Sequence, residues 1–146
     1  MRIVVQPQAF DLGAETAGFA RGRPGVGAIV TFTGIVRDLS GDLAMMQIEH
    51  YPGMTERAIA AIAGEAAARW SLLDCLVIHR YGTLVADEPI MMVATAAAHR
   101  AEAFAAAEFL MDYLKSRAPF WKKEITASGA EWVAAKAGDE DALRRW

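Results

Sequence analysis

The chain has one cysteine, Cys75, so no disulfide can form within it. That thiol lies in LLDCLVIHRYG between apolar neighbours and reads as a small buried side chain, not a nucleophile. A chain without disulfides fits a reducing, cytoplasmic setting. The three histidines, His50, His79 and His99, fall in separate segments with no HxH or HExxH spacing, so no metal site is expected. His50 and His79 read as sheet residues hydrogen-bonded to their neighbours. No GxSxG elbow places a serine nucleophile. Gly25 and Gly27 precede a predicted strand instead of following one, which argues against a phosphate-cradling loop. The uncharged apolar run Pro89 to Ala98 is half of the ~20 residues that a membrane helix needs. Gln6 and Pro7 interrupt the apolar start, so MRIVVQPQAF is not expected to be a secretory leader. The net charge of −3 exerts no general pull on nucleic acid.

What is present is globular. The chain has 146 residues, with 54% hydrophobic and 23% charged side chains, enough for one domain spanning residues 1–146. Short strands are expected at Arg2–Val5, Val26–Val36, Leu43–Tyr51 (as partner of the preceding strand), Cys75–Tyr81, Ile90–Thr95 and Glu124–Ala127. Gly34 in mid-strand signals a bulge or a close backbone approach. A short helix is expected over residues 14–21. A longer one over Thr55–Trp70 presents Ile59, Ile62, Ala63, Ala66 and Trp70 on one face. A helical turn is expected around Glu131–Lys136. Asp87–Glu88 beside Pro89 reads as a solvated turn. Strands and helices mixed in this order give an α+β domain.

The organising stretch is residues 95–124. Ala103, Phe104, Ala107, Leu110, Met111 and Leu114 recur at helical spacing and predict one core-facing arc, ended by Pro119. Phe109 and Tyr113 fall on the opposite, polar side and predict a contact surface for a homodimer. Ala96, Ala97 and Ala98 offer no side-chain cap, so the first N–H groups beside His99 and Arg100 suit an anion. Lys115, Arg117, Lys122 and Lys123 follow, interleaved with Pro119, Phe120 and Trp121, in what reads as a basic loop. Arg37, at the end of a strand, adds one more cation. If several of these converge, a lysine among them loses basicity, because burial and like charges both disfavour the ammonium. A neutral lysine is a base or an acyl nucleophile, while neighbouring cations hold a phosphate or carboxylate.

Five blocks carry a family resemblance: VTFTGIVRD at 30–38, IEHYPGMTE at 48–56, VIHRYGTL at 77–84, AHRAEAF at 98–104 and MDYLKSRAPFWKKE at 111–124. Together, in order from Ile3 to Trp146, they resemble the catalytic (large) subunit of molybdopterin synthase. The resemblance implies an α/β hammerhead-like single domain with a small β subdomain. It also implies a homodimer within a heterotetramer, each copy holding a small ubiquitin-like sulfur-carrier subunit. The carrier's C-terminal Gly-Gly thiocarboxylate would supply sulfur to cyclic pyranopterin monophosphate (precursor Z), a pterin phosphate, with no cofactor. Lys115 and Lys122 match the catalytic lysines of the family. Arg37, His99 and Arg100 match its substrate-anion residues, with Phe32, Met111 and Lys123 nearby. In the family the His-Arg pair reaches a site built mainly by the neighbouring subunit. The match departs at Ala97, where relatives often carry serine, in a shorter loop over Asp38–Asp42, and at Val85–Glu88, which lacks the usual glycine.

Two other readings compete. A non-enzymatic α+β module that binds a small anion would use Arg37, His99 and Arg100 but leaves Lys115 and Lys122 unexplained. A stand-alone acyltransferase built on Lys115 would work without a protein partner.

Overall fold

The computed structural model describes residues 1–134 and 137–146. Among the described residues, eight strands form two four-stranded sheets. The larger sheet has the order β1-β4-β6-β2, from Arg2–Gln6, Asp74–Arg80, Pro89–Ala97 and Ala28–Ile35. Only the β1–β4 pair in it is parallel. The smaller sheet is antiparallel throughout, with the order β5-β3-β7-β8, from Gly82–Leu84, Leu43–His50, Phe120–Thr126 and Gly129–Trp132.

Apolar pattern explains the layering. The central strands β4 and β6 are buried almost from end to end, as strands covered on both faces must be. One face is covered by two helices, α2 (Met54–Arg69) and α3 (Arg100–Ser116), around Ile59, Ala63, Val77, Val93, Phe109 and Leu110. The other face packs Leu76, Ile78, Met92 and Ala94 against Phe10, Leu12 and Phe19, around the short helix α1 (Leu12–Gly18). Asp11 caps α1 by accepting from the Ala14 N–H, which starts this helix two residues earlier than its sequence suggests. The register of β2 against β6 shifts between Gly34 and Ile35, the bulge that Gly34 signals, and a Cβ at Gly34 would press on the Met91 side chain. No helix among the described residues is long and apolar enough to cross a membrane.

Several expectations are corrected. Leu43–His50 does not pair with β2; it centres the second sheet, between β5 and β7. The tripeptide strand β5 is too short to show a pattern. Residues 95–97 end β6 and do not start a helix; α3 begins at Arg100. The basic stretch after Pro119 is strand, not loop. The helical turn expected at Glu131–Lys136 is replaced at its start by β8, and its residues 135 and 136 lie outside the described residues.

The buried arc of α3 is also rotated from the expected one. Ala103, Ala106, Ala107, Phe109, Leu110 and Leu114 face inward, while Phe104 is 62% exposed. Phe109 is fully buried against Trp70, Tyr113 and Trp146, so it offers no contact surface to a second copy. The cause is a second layer. α3 is covered by the sheet on one flank and by α2 with the C-terminal residues on another, and an alanine-rich helix gives little contrast between flanks.

Candidate active site

Strand alternation separates the two adjacent lysines of β7. Lys122 stands opposite Ile48, which is 1% exposed, so Lys122 shares the inward face of the small sheet. Lys123 stands opposite Gln47 and Trp132 on the other face, its ammonium 5.1 Å from the Trp132 ring centre. Burial holds the Lys122 ammonium below its ordinary basicity, and the nearby Lys115 adds like-charge repulsion. Asp139, from α4 (Ala137–Ala142), opposes that shift. Lys115 itself is exposed on the last turn of α3. The structure therefore brings Lys115 and Lys122 together from a helix that covers the large sheet and a strand of the small one.

That last turn is held from outside the helix. The Ser116 hydroxyl donates to the Asp139 carbonyl at 3.0 Å, and Arg117 pairs with Glu140 at 3.2 Å. Farther back, Arg145 donates to Asp112 and Glu108, and the Trp146 indole donates to Asp112 at 2.6 Å. The C-terminal residues thus grip α3 on both sides of Lys115.

Topology decides which other cations can join. β6 runs from Pro89 to Ala97, and α3 folds back over it, with the Thr95 hydroxyl donating to the Ala103 carbonyl at 2.7 Å. The end of α3 that carries Lys115 therefore overlies the Pro89 end of the sheet. Arg37 follows β2 at that same end, where the Val36 N–H donates to the Glu88 carbonyl. Asp38 shapes the Arg37 loop by accepting from the Ser40, Gly41 and Leu43 N–H groups. The Val85–Glu88 turn beside it holds Asp87 at a φ of 68°, a left-handed position that aspartate tolerates. Phe32 and Met111 sit between the ends, lining a shallow groove with Val30, Phe104 and Ala107 where edge strand β2 meets α3.

His99 and Arg100 do not join this group. They lie at the opposite end of α3, and the 15-residue step from Arg100 to Lys115 spans about 22 Å of helix. Both are exposed, and His99 occupies the N-cap position without a side-chain capping bond. A Cβ at Gly27 would overlap the Ala98 carbonyl, so the backbone leading into this pair passes close against β2.

A feature that the sequence reading missed lies beneath Lys122. Phe120, two residues earlier on the same face, stacks on His79 with ring centres 3.7 Å apart and planes 16° apart. His50, its cross-strand partner, lies 6.2 Å away and 4.3 Å from Tyr81. His79 is hydrogen-bonded to the Arg80 carbonyl, as a sheet histidine should be, whereas the Nδ1 of His50 is buried without a partner among the described residues. Reading 120–123 as a strand would have exposed this alternation.

Comparison with known proteins places the chain in a family. The MoaE protein family matches residues 5–117. A molybdopterin synthase catalytic subunit from Cereibacter sphaeroides is 75% identical over 146 residues, covering all of both chains. Among solved structures, the molybdopterin biosynthesis MoaE protein from Burkholderia ambifaria is 51% identical with a TM-score of 0.85, covering 99% of this chain and 97% of that one. Molybdopterin synthase from Staphylococcus aureus is 27% identical with a TM-score of 0.81, covering 90% and 96%.

Proposed function

The chain belongs to the MoaE protein family, and from that premise we propose that it is the catalytic subunit of a molybdopterin synthase. In this reading it is a sulfurtransferase. It takes sulfur from the C-terminal thiocarboxylate of a small ubiquitin-like carrier and delivers it to cyclic pyranopterin monophosphate, in a cytoplasm whose reducing state suits its one buried thiol.

The observation that carries the reading is the Lys115–Lys122 pair. Two lysine side chains from separate elements meet at one place, Lys115 exposed and Lys122 partly buried with a weakened ammonium. Together they offer an amine for carbonyl chemistry beside a charge that holds an anion. Lys115 meets the carrier's terminal carbonyl as base or transient acyl acceptor, and Lys122 serves the thiocarboxylate or the pterin. Arg37 faces the substrate phosphate from the same end of the sheet, with Phe32 and Met111 as apolar walls and Lys123 beyond. His99 and Arg100 lie too far away to complete this site, so they serve the site of a second copy. The half-exposed groove between Phe32 of edge strand β2 and Phe104 of α3 suits that copy better than the buried Phe109.

The test is to titrate the protein with thiocarboxylated carrier and precursor Z and to assay dithiolene. Product should require both. Binding of the pterin phosphate without turnover would favour the anion-binding module, and acyl transfer without carrier would favour the stand-alone acyltransferase.

A further inference from the structure

Lys122 comes from strand β7 of the small sheet and Lys115 from the helix that covers the large one, so something must fix one sheet against the other. His79 is the penultimate residue of the central strand β4 of the large sheet, and Phe120 begins β7 of the small one. Their face-to-face contact joins the two sheets within two residues of Lys122.

The chemistry of His79 suits a fixed role. A carbonyl oxygen only accepts, so the 2.8 Å contact from Nδ1 to the Arg80 carbonyl means that Nδ1 carries the proton. That bond stops ring rotation and presents a flat face to Phe120. The residue is 5% exposed, and burial pushes its pKa down to about 3, so the ring is neutral and places no charge against the lysines. His50, 6.2 Å from Phe120, and Tyr81, 4.3 Å from His50, extend the cluster of rings.

We propose that His79 is a positioning residue of the transfer site, whose ring, stacked on Phe120, sets where β7 delivers Lys122 relative to Lys115. The proposal rests on the reading of Lys122 as a working residue of the sulfurtransferase. The charges that act on Lys122 are Lys115 from α3 and Asp139 from α4, while His79 from β4 touches the strand that carries Lys122 through the ring of Phe120. Loss of the ring lets the start of β7 relax and water reach Lys122. A displacement of about 1 Å at such a group lowers turnover by one to two orders of magnitude.

The experiment compares His79→Ala and His79→Phe with the unsubstituted protein, each assembled with carrier. It reads kcat and KM separately, and reads the pH profile of Lys122 acylation by acetic anhydride, followed by mass spectrometry. His79→Ala should lower kcat roughly tenfold or more with little change in KM for the pterin, and shift Lys122 acylation toward the higher pH of an ordinary lysine. His79→Phe keeps the stack and should stay within about twofold of normal on both readouts. If His79→Ala does not fold, His79→Gln, which also removes the ring, takes its place. Unchanged kcat and an unchanged acylation profile in a variant without the ring would overturn the proposal, as would His79→Phe failing as badly as His79→Ala. The acylation readout stands apart from the functional reading: full activity in Lys122→Ala would refute the role of Lys122, while the labelling would still decide whether His79 positions it.

Discussion

The two ends of α3 both carry positive side chains, but they are built in opposite ways. At the C-terminal end, Lys115 stands beside Lys122, and the chain's own last ten residues hold the turn through Ser116, Arg117, Asp112 and Glu108. At the N-terminal end, His99 and Arg100 are exposed, uncapped by a side chain and remote from the lysines. Free N–H groups and a cation at a helix start favour an anion there. The first end is assembled from within the chain; the second is an unfinished half. A helix about 25 Å long can thus serve two sites at once, one at each tip, if a second copy brings its own lysines to the other tip.

The largest effect should come from the finished end. Lys115→Ala is expected to lower kcat roughly a thousandfold, the middle of the range for removing a positioned acid–base group, with carrier docking intact. Lys122→Ala should fall between this variant and the arginine variants. Near-normal kcat in Lys115→Ala under saturating carrier would invert the assignment of roles. Next come Arg37→Ala and Arg100→Ala, each removing a charge-assisted contact of ~1.5–3 kcal/mol and raising KM about 10- to 100-fold. These two also test the comparison itself. Mixing Lys115→Ala subunits with Arg100→Ala subunits should restore activity, because a mixed dimer holds one site with both residues intact. Failure of the mixture to exceed either variant alone would mean that both ends serve one copy.

Much of this was legible in the sequence, and the remainder was hidden for identifiable reasons. α2 and α3 announce themselves by periodicity, and Gly34 by its place in an otherwise β-branched strand. Which flank of α3 is buried depends on Trp70 and Trp146, which lie 39 residues before Phe109 and 37 after it, and no local pattern reports them. The opposite orientation of Lys122 and Lys123 depends on recognising a strand after Pro119, where proline and adjacent charges suggest a loop. The separation of His99–Arg100 from Lys115 was, by contrast, already fixed by helix length. What the sequence left open was whether the other cations gather at one end or the other, and strand order decides that.

A smaller effect lies in the pH dependence of stability beneath the finished end. His79 titrates near pH 6.5 when unfolded but only at about 3 when folded, so the unfolded chain binds a proton that the folded chain refuses between those values. Stability from this group is therefore intact above pH 6.5 and falls as the pH drops, by up to ~1.4 kcal/mol per unit. Urea unfolding at pH 7 and pH 5 should show a loss about 2 kcal/mol larger in the unsubstituted protein than in His79→Phe, which cannot take up the proton. Equal losses would mean that His79 is charged, or hydrated, in the folded state.

The smallest effect is expected at the other end, at the chain's one thiol. Cys75 pairs in register with Thr95, whose hydroxyl bonds into the first turn of α3, so the thiol lies beneath the His99–Arg100 end and remote from the lysines. It is 1% exposed, and burial pushes its pKa up to about 11, so almost no thiolate exists at neutral pH. If the transferred sulfur arrives on the carrier, Cys75 has no chemical part in the reaction. Cys75→Ser should therefore keep kcat and KM while losing about 1–3 kcal/mol of stability, the cost of a buried hydroxyl without an assured partner. Steady-state assays paired with thermal unfolding separate the two quantities. A folded Cys75→Ser protein that accepts carrier but transfers no sulfur would place the sulfur on this chain, and would make the buried end of α3 the reactive one.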